Sequence, residues 1–103
     1  MDLPKTPSMR LDGRRALVTG GSKGLGFASS VALASAGADV TLVARTPSEV
    51  EDAAGEIRAA GGKATGIALD ITDVEPTAEW VAAQPPFNIL VNNAGTNRPG
   101  PFV

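Results

Sequence analysis

Four short constellations in this sequence have residue types and spacings suited to chemistry. Thr19-Gly20-Gly21-Ser22-Lys23-Gly24-Leu25-Gly26 sets glycines at 20, 24 and 26 between an apolar run and a helical pattern. At such a junction the unpaired amides of the helix start point outward, and a phosphate accepts from them while meeting about half a positive charge from the helix dipole. By glycine spacing alone, an ordinary strand-to-helix turn explains these residues equally well; the strand and helix on either side favour phosphate. Asp70-Ile71-Thr72-Asp73 and Asn92-Asn93-Ala94-Gly95 each follow another apolar run, and Arg45 follows a fourth. Aspartate and asparagine at such places also read as turn formers. The 103 residues include no His, Cys or Tyr. That excludes a thiolate nucleophile, a Ser/His pair and a zinc site of the common nitrogen or sulfur type. No residue is assigned to a metal.

These groups need elements to hold them at one edge. Met1 to Met9 carry Pro4 and Pro7 without periodicity and are expected to form a flexible leader, with the ordered domain starting near Arg10. Ala16-Leu17-Val18 reads as a strand buried on both faces. Leu25, Ala28, Val31, Ala32 and Ser35 then recur at helical spacing up to Gly37. Val40 to Ala44 is strand-like, and Thr46-Pro47-Ser48-Glu49 predicts a capping box opening a helix whose apolar face is Val50, Ala53, Ala54 and Ile57, stopping at Gly61-Gly62. Thr65 to Leu69 predicts a third strand, and a third helix with Val74, Ala78 and Val81 inward runs to Pro85-Pro86. Its start is open: Thr72 to Glu75 resembles a capping box, but Pro76 would fit better nearer the first helical position. Phe87 to Val91 predicts a fourth strand. Strands alternating with helices of this length imply right-handed crossovers and an α/β fold: a three-layer, Rossmann-type, doubly wound parallel sheet, here its first half, with strand order 3-2-1-4. The ligand crevice then lies between strands 1 and 4.

With these elements in place, the chain resembles the short-chain dehydrogenase/reductase family, of the classical type, in its cofactor-binding half. The family's glycine motif, Thr-Gly-x-x-x-Gly-x-Gly, matches Thr19 to Gly26; its fourth strand runs into Asn-Asn-Ala-Gly, matching Asn92 to Gly95; and Asp70 stands where the family has an aspartate after the third strand. The resemblance implies that Gly20, Gly21, Ser22 and Lys23, with the Leu25 amide and Gly24 and Gly26, hold the phosphates and adenosine ribose of a dinucleotide. It also implies that Asp70 and Ile71 meet adenine, that Asn93, Ala94 and Gly95 line the ribose side, and that Asn92 helps fix the sheet. In this fold a carboxylate at the end of the second strand selects NAD, and a cation selects NADP. Ala44-Arg45 offers no acid, and Lys23 adds a second cation, so NADP(H) is expected in preference to NAD(H).

The resemblance also identifies what is missing. The family moves hydride between nicotinamide and a carbonyl or alcohol with a Tyr-x-x-x-Lys pair and a Ser from later in the fold. A chain without Tyr has no such acid, so no residue here is assigned a catalytic role and the chain alone is expected to be inactive. It reads as the cofactor-holding piece of a longer reductase of ketoacyl, sugar or other ketone type. The rival readings are a non-enzymatic nucleotide-binding or interaction module, or a truncated product without function. A net charge of -2 with interspersed signs provides neither the basic stripe that nucleic acid needs nor a polybasic membrane patch. No apolar run approaches the roughly 20 residues of a membrane span. A soluble, reducing, cytoplasmic setting fits the cysteine-free composition. The fourth strand as an uncovered edge suggests self-association.

Overall fold

The computed structural model describes residues 10–93. The strands are β1 (Arg15–Thr19), β2 (Asp39–Ala44), β3 (Lys63–Ala68) and β4 (Ile89–Asn92); the helices between them are α1 (Gly24–Ser35), α2 (Pro47–Ala59) and α3 (Val74–Ala83). All pair in parallel in the order β3-β2-β1-β4, as the alternating pattern predicts. Each crossover must return over the sheet, and right-handedness places α1 and α2 on one face and α3 on the other. The expected leader, 1–9, lies outside the described residues, as do Ala94 and Gly95.

The core lies between the central strands and α1 and α2. Ala16, Val18, Val40, Leu42 and Ala64 meet Ala34, Ala38, Val50, Ala53, Ala54 and Ile57. The α2 face is the one its sequence periodicity predicts. Helix α1 is set differently: it buries Gly26, Ser30 and Ala34, while Leu25, Ala28, Val31, Ala32 and Ser35 turn outward, Leu25 being 77% exposed. Small residues face inward because the helix start lies directly on the β1 turn. Ser30 is tolerated inside because its hydroxyl donates to the Gly26 carbonyl at 2.8 Å.

Two local expectations fail. The capping box does not form: Thr46 occupies the N-cap of α2, but no side chain caps the helix, and the Glu49 carboxylate is drawn to Lys23 instead. Helix α3 buries no residue, and Val74, expected inward, is 73% exposed; Ala78 and Val81 are exposed too. It packs little against the sheet, and it is tied down at its end. Trp80 stacks on Phe87 with ring centroids 6.2 Å apart, and the Arg15 guanidinium sits 4.3 Å over the Phe87 ring and donates to the Pro85 carbonyl. Asp73 is the α3 N-cap, so Pro76 falls in the first turn, where its missing N–H leaves no helical bond unmade.

Candidate functional site

Because the strands are parallel, their carboxyl ends share one edge, and there β1 and β4 diverge to opposite crossovers. Thr19 and Asn92 are register partners at that edge. The buried Thr19 hydroxyl donates to Asn92 Oδ1 at 2.9 Å and accepts from the Asn93 amide at 3.1 Å. One side chain therefore fixes the ends of both strands that border the crevice. In the sequence Thr19 reads only as the start of the glycine motif; the signal for its second role is a hydroxyl at the last position of one strand and paired asparagines at the end of another. Thr19→Val keeps the shape but leaves the Asn93 amide without that acceptor. The expected result is a loss of about 1–3 kcal/mol, seen as a lower urea midpoint with an unchanged slope.

The glycine loop leaves β1 at Gly20, whose φ of 64° is left-handed and favours glycine. The Gly20 and Gly21 amides do not open to the crevice as expected. Both donate to the Val43 carbonyl, at 2.8 and 3.2 Å, because the loop's first two residues continue the pairing of β1 with β2. The outward donors come later. Lys23 has extended geometry at the α1 N-cap, and the amides of Lys23, Gly24, Leu25 and Gly26 donate to no acceptor among the described residues. The Ser22 hydroxyl beside them likewise makes no hydrogen bond there. Gly26 is where the helix touches the turn: a methyl carbon built on it overlaps the Gly20 carbonyl oxygen and stands 2.8 Å from the carbonyl carbon and 3.1 Å from Asn93 Nδ2. The glycine motif is thus a contact between helix start, turn and β4 end.

The other expected site residues flank this loop. Arg45, just past β2, is exposed and makes no ion pair among the described residues. Lys23, expected as a second open cation, is instead paired with Glu49, Nζ to Oε1 at 2.9 Å. Asp70, just past β3, accepts on one oxygen from the Thr72 hydroxyl at 2.6 Å and the Thr72 amide at 3.0 Å. Those bonds hold its carboxyl below the usual carboxylate range, with help from the nearby Arg45 charge. The turn role and the site role of Asp70 are compatible: Oδ1 makes the turn, and Oδ2 makes no hydrogen bond among the described residues. The Ile71 amide is likewise unbonded there. Loop, Arg45, Asp70 and Asn93 therefore line the carboxyl edge in one row, with donors at the centre and a cation and a carboxylate to one side.

Comparisons with known proteins agree with this arrangement. The family model for short chain dehydrogenases matches residues 14–103. D-erythrulose reductase of Gallus gallus is 42% identical over 97 residues, covering 94% of this chain and 38% of that protein. RhlG of Pseudomonas aeruginosa, solved as an NADP active-site complex, superposes with a TM-score of 0.79 at 36% identity, covering 89% of this chain and 38% of that one. A metagenomic short-chain oxidoreductase solved with NADP gives 0.77 at 40% identity, covering 84% and 41%. The chain spans about a third of the length of the curated relatives it matches. Among the described residues no helix is long and apolar enough to cross a membrane.

Proposed function

The chain belongs to the short-chain dehydrogenase family, and from that premise we propose that it is the NADP(H)-binding portion of an oxidoreductase acting on a carbonyl/alcohol pair. The residues fit such a cofactor. Open amides from Lys23 to Gly26 and the Ser22 hydroxyl are donors for its phosphates. The missing side chain at Gly26 keeps the helix start seated against the turn. Asp70 Oδ2 and the Ile71 amide offer the acceptor and donor that an adenine edge needs, and Asn93 stands on the ribose side. Bound there, the cofactor supplies the hydride; this chain's residues bind and orient it. With no Tyr in the sequence, the chain alone is expected to bind without turnover. The D-erythrulose reductase relative supports a ketose or similar ketone as the substrate class of the whole enzyme. A cytoplasmic setting and self-association along the β4 edge, where Leu90 is 66% exposed, belong to the same reading.

The choice of NADP over NAD is carried by Arg45, a cation without an ion-pair partner among the described residues where an NAD site would have a carboxylate. Two charges about 4 Å apart are worth about 1 kcal/mol in water and about 4 in a partly screened cleft, and about 1.4 kcal/mol is tenfold in affinity. Calorimetric titration of NADP and NAD into wild type and Arg45→Asp is the test. We expect the variant to lose at least about tenfold in NADP affinity while NAD holds or improves; equal NADP affinity in both proteins removes Arg45 from the reading.

A further inference from the structure

Glu49 stands in the first turn of α2, at the capping-box position, yet does not serve that helix end. Its carboxylate crosses to the phosphate loop and takes Lys23 Nζ at 2.9 Å. The ion pair thus joins the loop after β1 to the helix after β2, bracketing the exposed Arg45. Both partners reach solvent, with side chains 74% and 41% exposed, so the pair is weak and exchangeable. It nevertheless neutralises one of the two cations on the ribose side of the crevice. It also puts a negative charge where an incoming phosphate would have to approach Lys23.

We propose that Glu49 is a specificity-determining residue that tunes down the preference for a 2′-phosphorylated nucleotide: it occupies Lys23, which the 2′-phosphate must win from it, and leaves Arg45 as the open cation. This rests on the dinucleotide reading above. NAD, without that phosphate, does not compete for Lys23 and is indifferent to Glu49. Substituting Gln keeps the size of the side chain and removes the competing charge.

The test is calorimetric titration of NADP and NAD into the full chain as wild type, Glu49→Gln and the double variant Lys23→Gln/Glu49→Gln. An exposed ion pair is worth up to about fivefold in an equilibrium, so we expect Glu49→Gln to bind NADP about threefold more tightly than wild type, with NAD affinity unchanged. In the double variant that gain should vanish. Glu49→Asp keeps the charge in the first turn of α2 but shortens the reach to Lys23, and should shift NADP affinity in the same direction. Unchanged or weaker NADP binding by Glu49→Gln, or equal tightening of NADP and NAD, overturns the proposal while leaving the NADP reading standing. Wild type that binds NADP and NAD alike rejects that reading itself, and this inference with it.

Discussion

Gly26→Ala is expected to lose both stability and nucleotide affinity, although it adds one methyl group and replaces a poor helix former with the best one. Helix propensity favours the change by about 1 kcal/mol. The sign reverses because the new carbon would overlap the Gly20 carbonyl oxygen and press on Asn93 Nδ2 at 3.1 Å. The first neighbour is backbone and cannot yield cheaply, and the backbone that carries the Asn93 side chain is anchored through its N–H to the Thr19 hydroxyl. Overpacking of this kind destabilises by about 1–3 kcal/mol, and a backbone obstacle puts Gly26 at the upper end. Relief by sliding α1 away from the turn would displace the open amides of Lys23 to Gly26, so NADP affinity should fall with stability. Gly55→Ala is the internal control. It lies in α2 with only Arg58 Nη2 within reach, at 3.8 Å, and should stabilise by about 0.5–1 kcal/mol. Urea unfolding of both variants decides the point: a Gly26→Ala midpoint at or above that of wild type removes the contact from the account.

Leu42→Ala is expected to destabilise by about 3–5 kcal/mol, the largest effect of a single side chain here. Leu42 is fully buried and heads the largest such side chains. It lies in the core cluster with Val18, Val40 and Val50, and it fills the space beside Gly21, where an added methyl carbon would stand 3.2 Å from its Cγ. Central strands pinned on both sides collapse poorly around a cavity, which puts the cost at the high end of its range. Against a total stability of about 5–15 kcal/mol for a domain, such a loss takes a large share of the stability. The measurement is the urea midpoint with its slope, and a loss under about 1 kcal/mol would contradict a core built around β2. Nucleotide should partly restore the variant, because a ligand that binds only the folded state adds stability that grows with the logarithm of its concentration above the dissociation constant.

The path from sequence to site was uneven for reasons that particular residues make plain. Face assignment succeeded for α2, where Val50, Ala53, Ala54 and Ile57 contrast with charged neighbours. In α1, a helix of mostly small and apolar residues, hydrophobicity does not distinguish a face, and the contact of Gly26 with Gly20 sets its rotation instead. In α3, Val74 and Val81 have helical spacing, but the described helix buries neither. At the site, Arg45 and Asp70 lie at the predicted strand ends, because in a parallel sheet the end of every strand falls on the same edge.

The sequence by itself determined the order of elements, the strand order 3-2-1-4, the edge on which the glycine loop, Arg45, Asp70 and Asn93 gather, and the family. Alternation of strands and helices with right-handed crossovers admits few topologies, and turn residues are local signals. Only the tertiary structure decided who partners whom. Val43 takes the Gly20 and Gly21 amides, Thr19 ties β1 to β4, and Glu49 leaves its own helix end for Lys23. Those choices are settled between segments far apart in the chain, where distance and competition for the same donor decide, and no local pattern encodes either.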